Sequence, residues 1–518
     1  MKSITKQEKQ FPHGLCQLRK TFSFLLVCIL IALIFSGCND TTISTNTDAL
    51  PAPDDSSSHT IGSTLNIGMS ENDSLNPYFI TTDLNSDITD LVFEPLFYID
   101  DSFCARNALA KSCTQNDMTL TVKLDTSVAF SDGVQFSSSD VVYSFSLAKQ
   151  SEYYKNELSG IASAAATSAD TVTFTLNTKS INAADSLSFP IVKTSTAADK
   201  DSIPVGTGLY KFSVSGEKTQ LQYNPYCKKS RPNITTVNLV QIPASSTMIH
   251  TLELGTIDAF FDDLSSGSYS QANAQTAKTN LTNLVFLGMN SNSYGLSTSA
   301  VRQAVYYSIN RQAIVKNSFK NYAKESAVPY HPEWHVISES EYNISGLTLN
   351  YSEAQKLMKN AGFNERINYT LIVYSGNNFK IAAAKELQKN LANIGINLTI
   401  NELTWENYQL ALSSGNYDFY IGEIRLPMNM NLSALFGDNR AIYGISAADT
   451  TATAYSEYLS GNISLEAFTN SFLQNMPFAP ICFRMGALIY SNDITPAADS
   501  DMSNAYKNIY EWTIINNL

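Results

Sequence analysis

Apolar positions recur with two different periods along this chain, and their alternation predicts a mixed α/β protein. Segments 63–69 (STLNIGM), 119–125 (TLTVKLD) and 171–177 (TVTFTLN) alternate every second residue, as half-buried strands do. Segment 137–149 carries Val141, Val142 and Phe145 at helical spacing behind a Ser138 or Ser139 cap. Over 299–319, Val301, Ala304, Val305 and Ile309 form an inward stripe, and Asn310 caps a fresh helical start. Ala354, Leu357 and Met358 make the buried face of a helix over 351–363, capped by Ser352 and stopped by Gly362. A strand at 368–375, a helix at 380–395 and a strand at 396–403 then form a β-α-β unit, which requires parallel strands flanked by helices.

The N-terminus follows a different pattern. Lys2, Lys6, Lys9, Arg19 and Lys20 precede an apolar run from Phe22 to Phe35, which ends at Ser36-Gly37-Cys38. A basic stretch, an apolar stretch and small residues in that order make a secretory signal over 1–37. The run falls short of the roughly 20 residues that span a membrane, so an uncleaved anchor is the weaker alternative. Ser36-Gly37-Cys38 also resembles a bacterial lipobox, with Phe35 where Leu is usual. That resemblance makes Cys38 the lipidated first residue of the mature chain. Residues 38–60 are rich in Ser, Thr and Asp and read as a flexible tether.

Composition narrows the function. The chain has 518 residues, 44% of them hydrophobic, enough at roughly 100–200 residues per domain for two to four domains. Its 34 basic and 47 acidic residues leave a net charge of −13. A nucleic-acid binder needs a basic footprint, so that class is excluded, while a small cationic or zwitterionic ligand is not. Beyond Cys16, Cys28 and Cys38, the cysteines are Cys104, Cys113, Cys227 and Cys482, with no CxxC pair. An exported location admits a Cys104–Cys113 disulfide across a turn, whereas Cys227 and Cys482 read as free and buried.

Enzyme motifs are missing or uninformative. No phosphate-binding loop, G-x-S-x-G or H-E-x-x-H occurs, and S-x-x-K occurs three times, once inside the signal, as expected by chance in a Ser-rich chain. His331-Pro332-Glu333-Trp334-His335 is the one metal-like cluster. Pro332 argues against a regular helix, so the segment reads as an exposed loop. A nickel-type ligand held by the two imidazoles is the other reading.

Local signatures stand in collinear order: LNIGMSENDSLNPYFITTD (65–83), LVFEPLFYID (91–100), LTVKLDTSVAFSDGVQFSSSDVVYSF (120–145), PVGTGLYKF (204–212), LELGTIDAFF (252–261), VRQAVYYSINRQAIV (301–315) and WENYQLALSSGNYDFYIGEI (405–424). Together they resemble one family, the extracytoplasmic solute-binding proteins of peptide and nickel ABC transporters (family 5, oligopeptide- and dipeptide-binding-like). Asp132-Gly133, Gly206 and Gly208 read as turn positions that need positive φ, and Asp258 and Asp418 as closers of strand-entry turns.

The resemblance implies a two-lobed α/β binding-protein fold (class II, three-subdomain type) with a hinge. Lobe I would span 61–285, completed by 478–518, and lobe II 286–477, with crossings near Leu284–Asn290 and Phe478–Cys482. It implies a monomer that delivers a small ligand, such as a peptide, to an ABC permease and ATPase, without cofactor, metal or catalysis. An extracellular sensor or chaperone-like module on the same scaffold is the rival. By position, Thr81, Thr82 and Asp83 line the cleft from lobe I, and Trp405 offers an aromatic wall from lobe II or fills core at a turn. Pro427 stands where peptide binders place an acid for the ligand's amino group. Glu423 and Arg425 lie nearby at period-two spacing, as two opposite charges offered to a ligand or as a salt bridge within the lobe.

Overall fold

The period-two segments are strands in the computed structural model: Thr64–Ser70, Thr119–Leu124 and Thr171–Leu176. The structure describes residues 60–516 except 178, 181, 217, 244, 270–271, 339–347, 438–439 and 447–448. The signal, Cys38 and all but the last residue of the tether lie outside the described residues. Among the described residues no helix is long and apolar enough to cross a membrane.

The largest sheet is mixed. Its strand order is Ile396–Leu403, Ile367–Tyr374, Phe419–Arg425, Gln275–Met289, Phe478–Tyr490, Ala259–Asp262, Thr64–Ser70, Thr236–Ile242, Lys218–Tyr223 and Tyr210–Ser215. Strands Ile367–Tyr374 and Ile396–Leu403 pair in parallel from Ile367–Ile396 to Tyr374–Leu403, with helix Asn378–Ala392 as their crossover. That is the β-α-β unit the pattern required. A separate four-stranded sheet, Ala110–Asn116, Thr119–Leu124, Thr171–Leu176 and Ile161–Ser168, packs against helix Ser138–Ala148. Phe145 of that helix meets Phe174 edge-on at 5.6 Å between ring centroids.

Two hydrophobic cores form. One gathers Leu65, Ile67, Val122, Phe174, Tyr210 and Trp512. The other gathers Phe286, Val305, Leu371, Ala383, Phe419 and Phe478. The long antiparallel strands Gln275–Met289 and Phe478–Tyr490 serve both, and their register breaks between Asn280 and Leu284. Such irregularities bend a strand and loosen its ladder.

Caps differ in detail from expectation. Ser137, not Ser138 or Ser139, precedes the first helix of the smaller layer, its amide and hydroxyl donating to Asp140 at 3.0 and 2.9 Å. Asn350, not Ser352, caps Tyr351–Asn360 through the Glu353 amide. The 299–319 segment divides as expected into Ser299–Ser308 and Arg311–Asn317, with Asn310 capping the second.

Gly133 has φ +85°, as its turn requires, but neither Gly206 nor Gly208 is left-handed. Their requirement is spatial. A Cβ at Gly206 or Gly208 would stand 2.1 or 2.7 Å from the Val92 carbonyl oxygen, which accepts the Gly208 amide at 2.9 Å.

His331 is fully buried, contrary to an exposed loop, between Phe103 at 4.5 Å and Phe483 at 4.9 Å. Burial in that apolar setting pushes its pKa down to about 3. His335 instead meets Asp185 at 3.3 Å, so the two rings serve different partners. Cys104 and Cys113 are not joined; Cys482 is buried and Cys227 half-buried.

Candidate functional site

The site begins where the strand Thr64–Ser70 hands over to the helix Asp83–Thr89. Asp73 organises this turn. Its Oδ1 accepts the amide and hydroxyl of Thr81 at 2.9 Å each, and its Oδ2 accepts those of Thr82 at 2.9 and 2.6 Å. Thr82 Oγ1 then accepts the Asn85 amide at 3.4 Å as the helix cap. Thr81 and Thr82 thus spend their polar groups on starting the helix, while Asp83 lies at the mouth of a cavity.

That cavity, of about 860 Å³, lies between elements of the two cores. From the first come the helix bearing Asp87, its cap Asp90, and the loop with Tyr153 and Glu157; from the second come Arg425, Pro427 and Met428. Arg425 ends, and Pro427 and Met428 follow, the strand Phe419–Arg425, which runs parallel to one neighbour, and the C-terminal edge of such strands is where open α/β sheets bind ligands. Contacts cross the cavity mouth. Arg425 Nη1 stands 3.8 Å from Asp83, and its guanidinium lies 5.5 Å from the Tyr153 ring centre. The Tyr153 hydroxyl donates to Asp83 at 3.1 Å. The Met428 amide donates to both oxygens of Glu157, at 3.1 and 3.0 Å. Burial pushes the Glu157 pKa up to about 7.

Glu423 shares a strand face with Arg425 but sits deeper. It accepts from Arg484 Nε at 2.6 Å and Asn283 Nδ2 at 2.8 Å, with Lys380 Nζ at 2.8 Å. Burial alone would raise its pKa, but the Arg484 and Lys380 charges outweigh that and hold it at about 2. Its carboxylate is committed inside the fold and does not line the cavity. Trp405 opens helix Trp405–Ser414, half-exposed, stacked on Tyr408 and edge-on to Tyr374 at 5.4 Å; it too lies off the cavity. Asp258 and Asp418 are structural, accepting the Asn66 amide at 2.7 Å and the Thr370 amide at 2.8 Å.

Sequence reasoning missed Asp87, Asp90, Tyr153 and Glu157. For the first two a signal existed. Asp83, Asp87 and Asp90 are spaced four and three apart, which puts three carboxylates on one helical face. Tyr153 and Glu157 sit in a loop without pattern, and only the folding of that loop over the cavity singles them out. Among the described residues no cluster of three or more His, Cys, Asp or Glu is arranged to hold a metal ion.

Two cores sharing one sheet, linked by two long strands and enclosing a cavity at their junction, define a class II two-lobed binding protein. The chain belongs to the bacterial extracellular solute-binding proteins, family 5, whose middle-region model matches residues 105–435. It is 23% identical over 442 residues to the oligopeptide-binding protein AppA of Bacillus subtilis, covering 77% of this chain and 80% of that one. Its fold is shared by the ABC transporter substrate binding protein CtaP of Listeria monocytogenes (TM-score 0.70, 18% identity, 88% of this chain and 100% of that one). NikZ of Campylobacter jejuni, solved with Ni(L-His), also matches (TM-score 0.63, 20% identity, 87% and 99%).

Proposed function

We propose that this family member captures a small solute, a peptide or related compound, in the cavity between its lobes and delivers it to an ABC permease and ATPase by closing around it. The observation that carries this is the cavity bounded from both cores, with Arg425 and Met428 reaching across to Asp83, Tyr153 and Glu157. A ligand that touches both sides favours the closed arrangement by its differential affinity, and no bond is made or broken. Lobe I comprises about 61–285 with 478–518 and lobe II about 286–477. The irregular stretch of the long strand pair supports bending there. Asp83 and Arg425 are the expected residues that meet a ligand; Thr81 and Thr82 anchor the start of the helix that carries Asp83, while Trp405 and Glu423 lie off the cavity.

Native mass spectrometry of protein purified from its own host tests the reading. A co-purified peptide-like molecule is expected, released on unfolding. Protein that carries no ligand and binds no peptide in calorimetry overturns it.

Export and lipid anchoring complete the proposal, resting on the apolar run and Ser36-Gly37-Cys38. Cys38→Ala then gives unlipidated protein, released or retained as an uncut precursor. Normal processing and membrane fractionation of that variant would sink the anchoring.

A further inference from the structure

The cavity is richer in acid than its contacts explain. Seven of its lining residues are Asp or Glu and three are Lys or Arg. Two of the three cations are already engaged: Arg425 faces Asp83, and Lys507 faces Asp101, Asp499 and Asp501. Asp87 is the extreme case. It is 8% exposed, its Oδ2 has no hydrogen-bond partner, and no cation among the described residues lies within ion-pair distance. It also sits near the C-terminal end of its helix, where the peptide dipoles disfavour negative charge. A buried, unpartnered carboxylate is costly, so its retention points to a partner supplied from outside.

The rest of the wall suits the same partner. Tyr98, Tyr154 and Tyr506 line the cavity beside Tyr153 and Tyr510, whose rings already face Arg425 and Lys229, and aromatic faces attract cations within about 6 Å. Leu91, Phe93 and Leu209 offer apolar surface for an aliphatic stem.

We propose that the cavity selects ligands of net positive charge, with an ammonium or guanidinium group seated against Asp87 and Asp90. This rests on the reading of the cavity as the solute cleft. It places the cation on lobe I, whereas the loop that holds Pro427 belongs to lobe II. The groups facing Asp87 are Asp83 and Asp90 of its own helix, Asp263, Arg425, Tyr153 and Tyr506. Burial first, and the surrounding carboxylates second, push Asp87 and Asp90 well above the usual carboxylate range. Carboxyls raised in this way hold protons that an arriving cation expels to the buffer. Affinity therefore rises with pH until they ionise unaided.

Calorimetry with Ala-Lys-Ala, Ala-Ala-Ala, Ala-Glu-Ala and spermidine, in buffers of different ionisation enthalpy, tests this. Ala-Lys-Ala should bind at least about tenfold more tightly than Ala-Glu-Ala, with net proton release. Asp87→Asn should weaken it by about 30-fold or more, reduce the proton release and raise the melting temperature of ligand-free protein. Equal affinities across the three peptides, or an Asp87→Asn variant that binds Ala-Lys-Ala like wild type, overturn the charge selection and leave peptide capture standing. Spermidine binding with no peptide binding supports the cation seat and overturns peptide capture. Binding of none of the four overturns both.

Discussion

Glu423 and Arg425 stand two residues apart on one strand face, yet burial gives them opposite roles. Glu423 is enclosed with Arg484, which is 3% exposed at its side chain, and so closes a charge network inside the fold. Arg425 keeps about half its side chain exposed and reaches across the cavity mouth. Removing one partner of a buried pair strands the other, so Glu423→Gln should destabilise the protein by about 3–5 kcal/mol. The folded-state pKa of about 2, against an ordinary 4.5, is a depressed one. Its stabilisation, about 3 kcal/mol, is present above pH 4.5 and is lost as pH falls towards 2. Denaturant unfolding of wild type and variant should show a gap that narrows over that range; a constant gap contradicts the network.

Strands and helices with a regular apolar period were legible because one face must be buried, and burial imposes the period on the residues. The β-α-β unit and the split at Asn310 follow from that alone. Caps shifted by a residue or two because several Ser and Asn near each start can accept the same amides. Gly206 and Gly208 show a different limit. Their signature in the chain suggested a left-handed turn, but the requirement comes from Val92, distant in sequence, whose backbone passes against them. Gly208→Ala should therefore cost about 1–3 kcal/mol through overpacking, seen as a lower denaturant midpoint with an unchanged slope. A variant as stable as wild type would mean that the strand can move away.

Across the whole molecule, the proposed closure is the property most open to measurement. Adding the co-purified solute to stripped protein should reduce the radius of gyration in small-angle scattering. Tight binding that leaves it unchanged would argue against a clamp.

Hydrophobic periodicity and the order of local signatures determined the α/β class and the family, because those depend on which faces are buried and on residues close in the chain. The cavity was decided only by tertiary structure. Asp87 and Asp90 belong to it because the loop carrying Glu157 and the strand carrying Arg425, hundreds of residues apart in sequence, come to face their helix. The same packing buried His331 and drew Glu423 inward, since a side chain's solvent and charge partners are set by what folds against it.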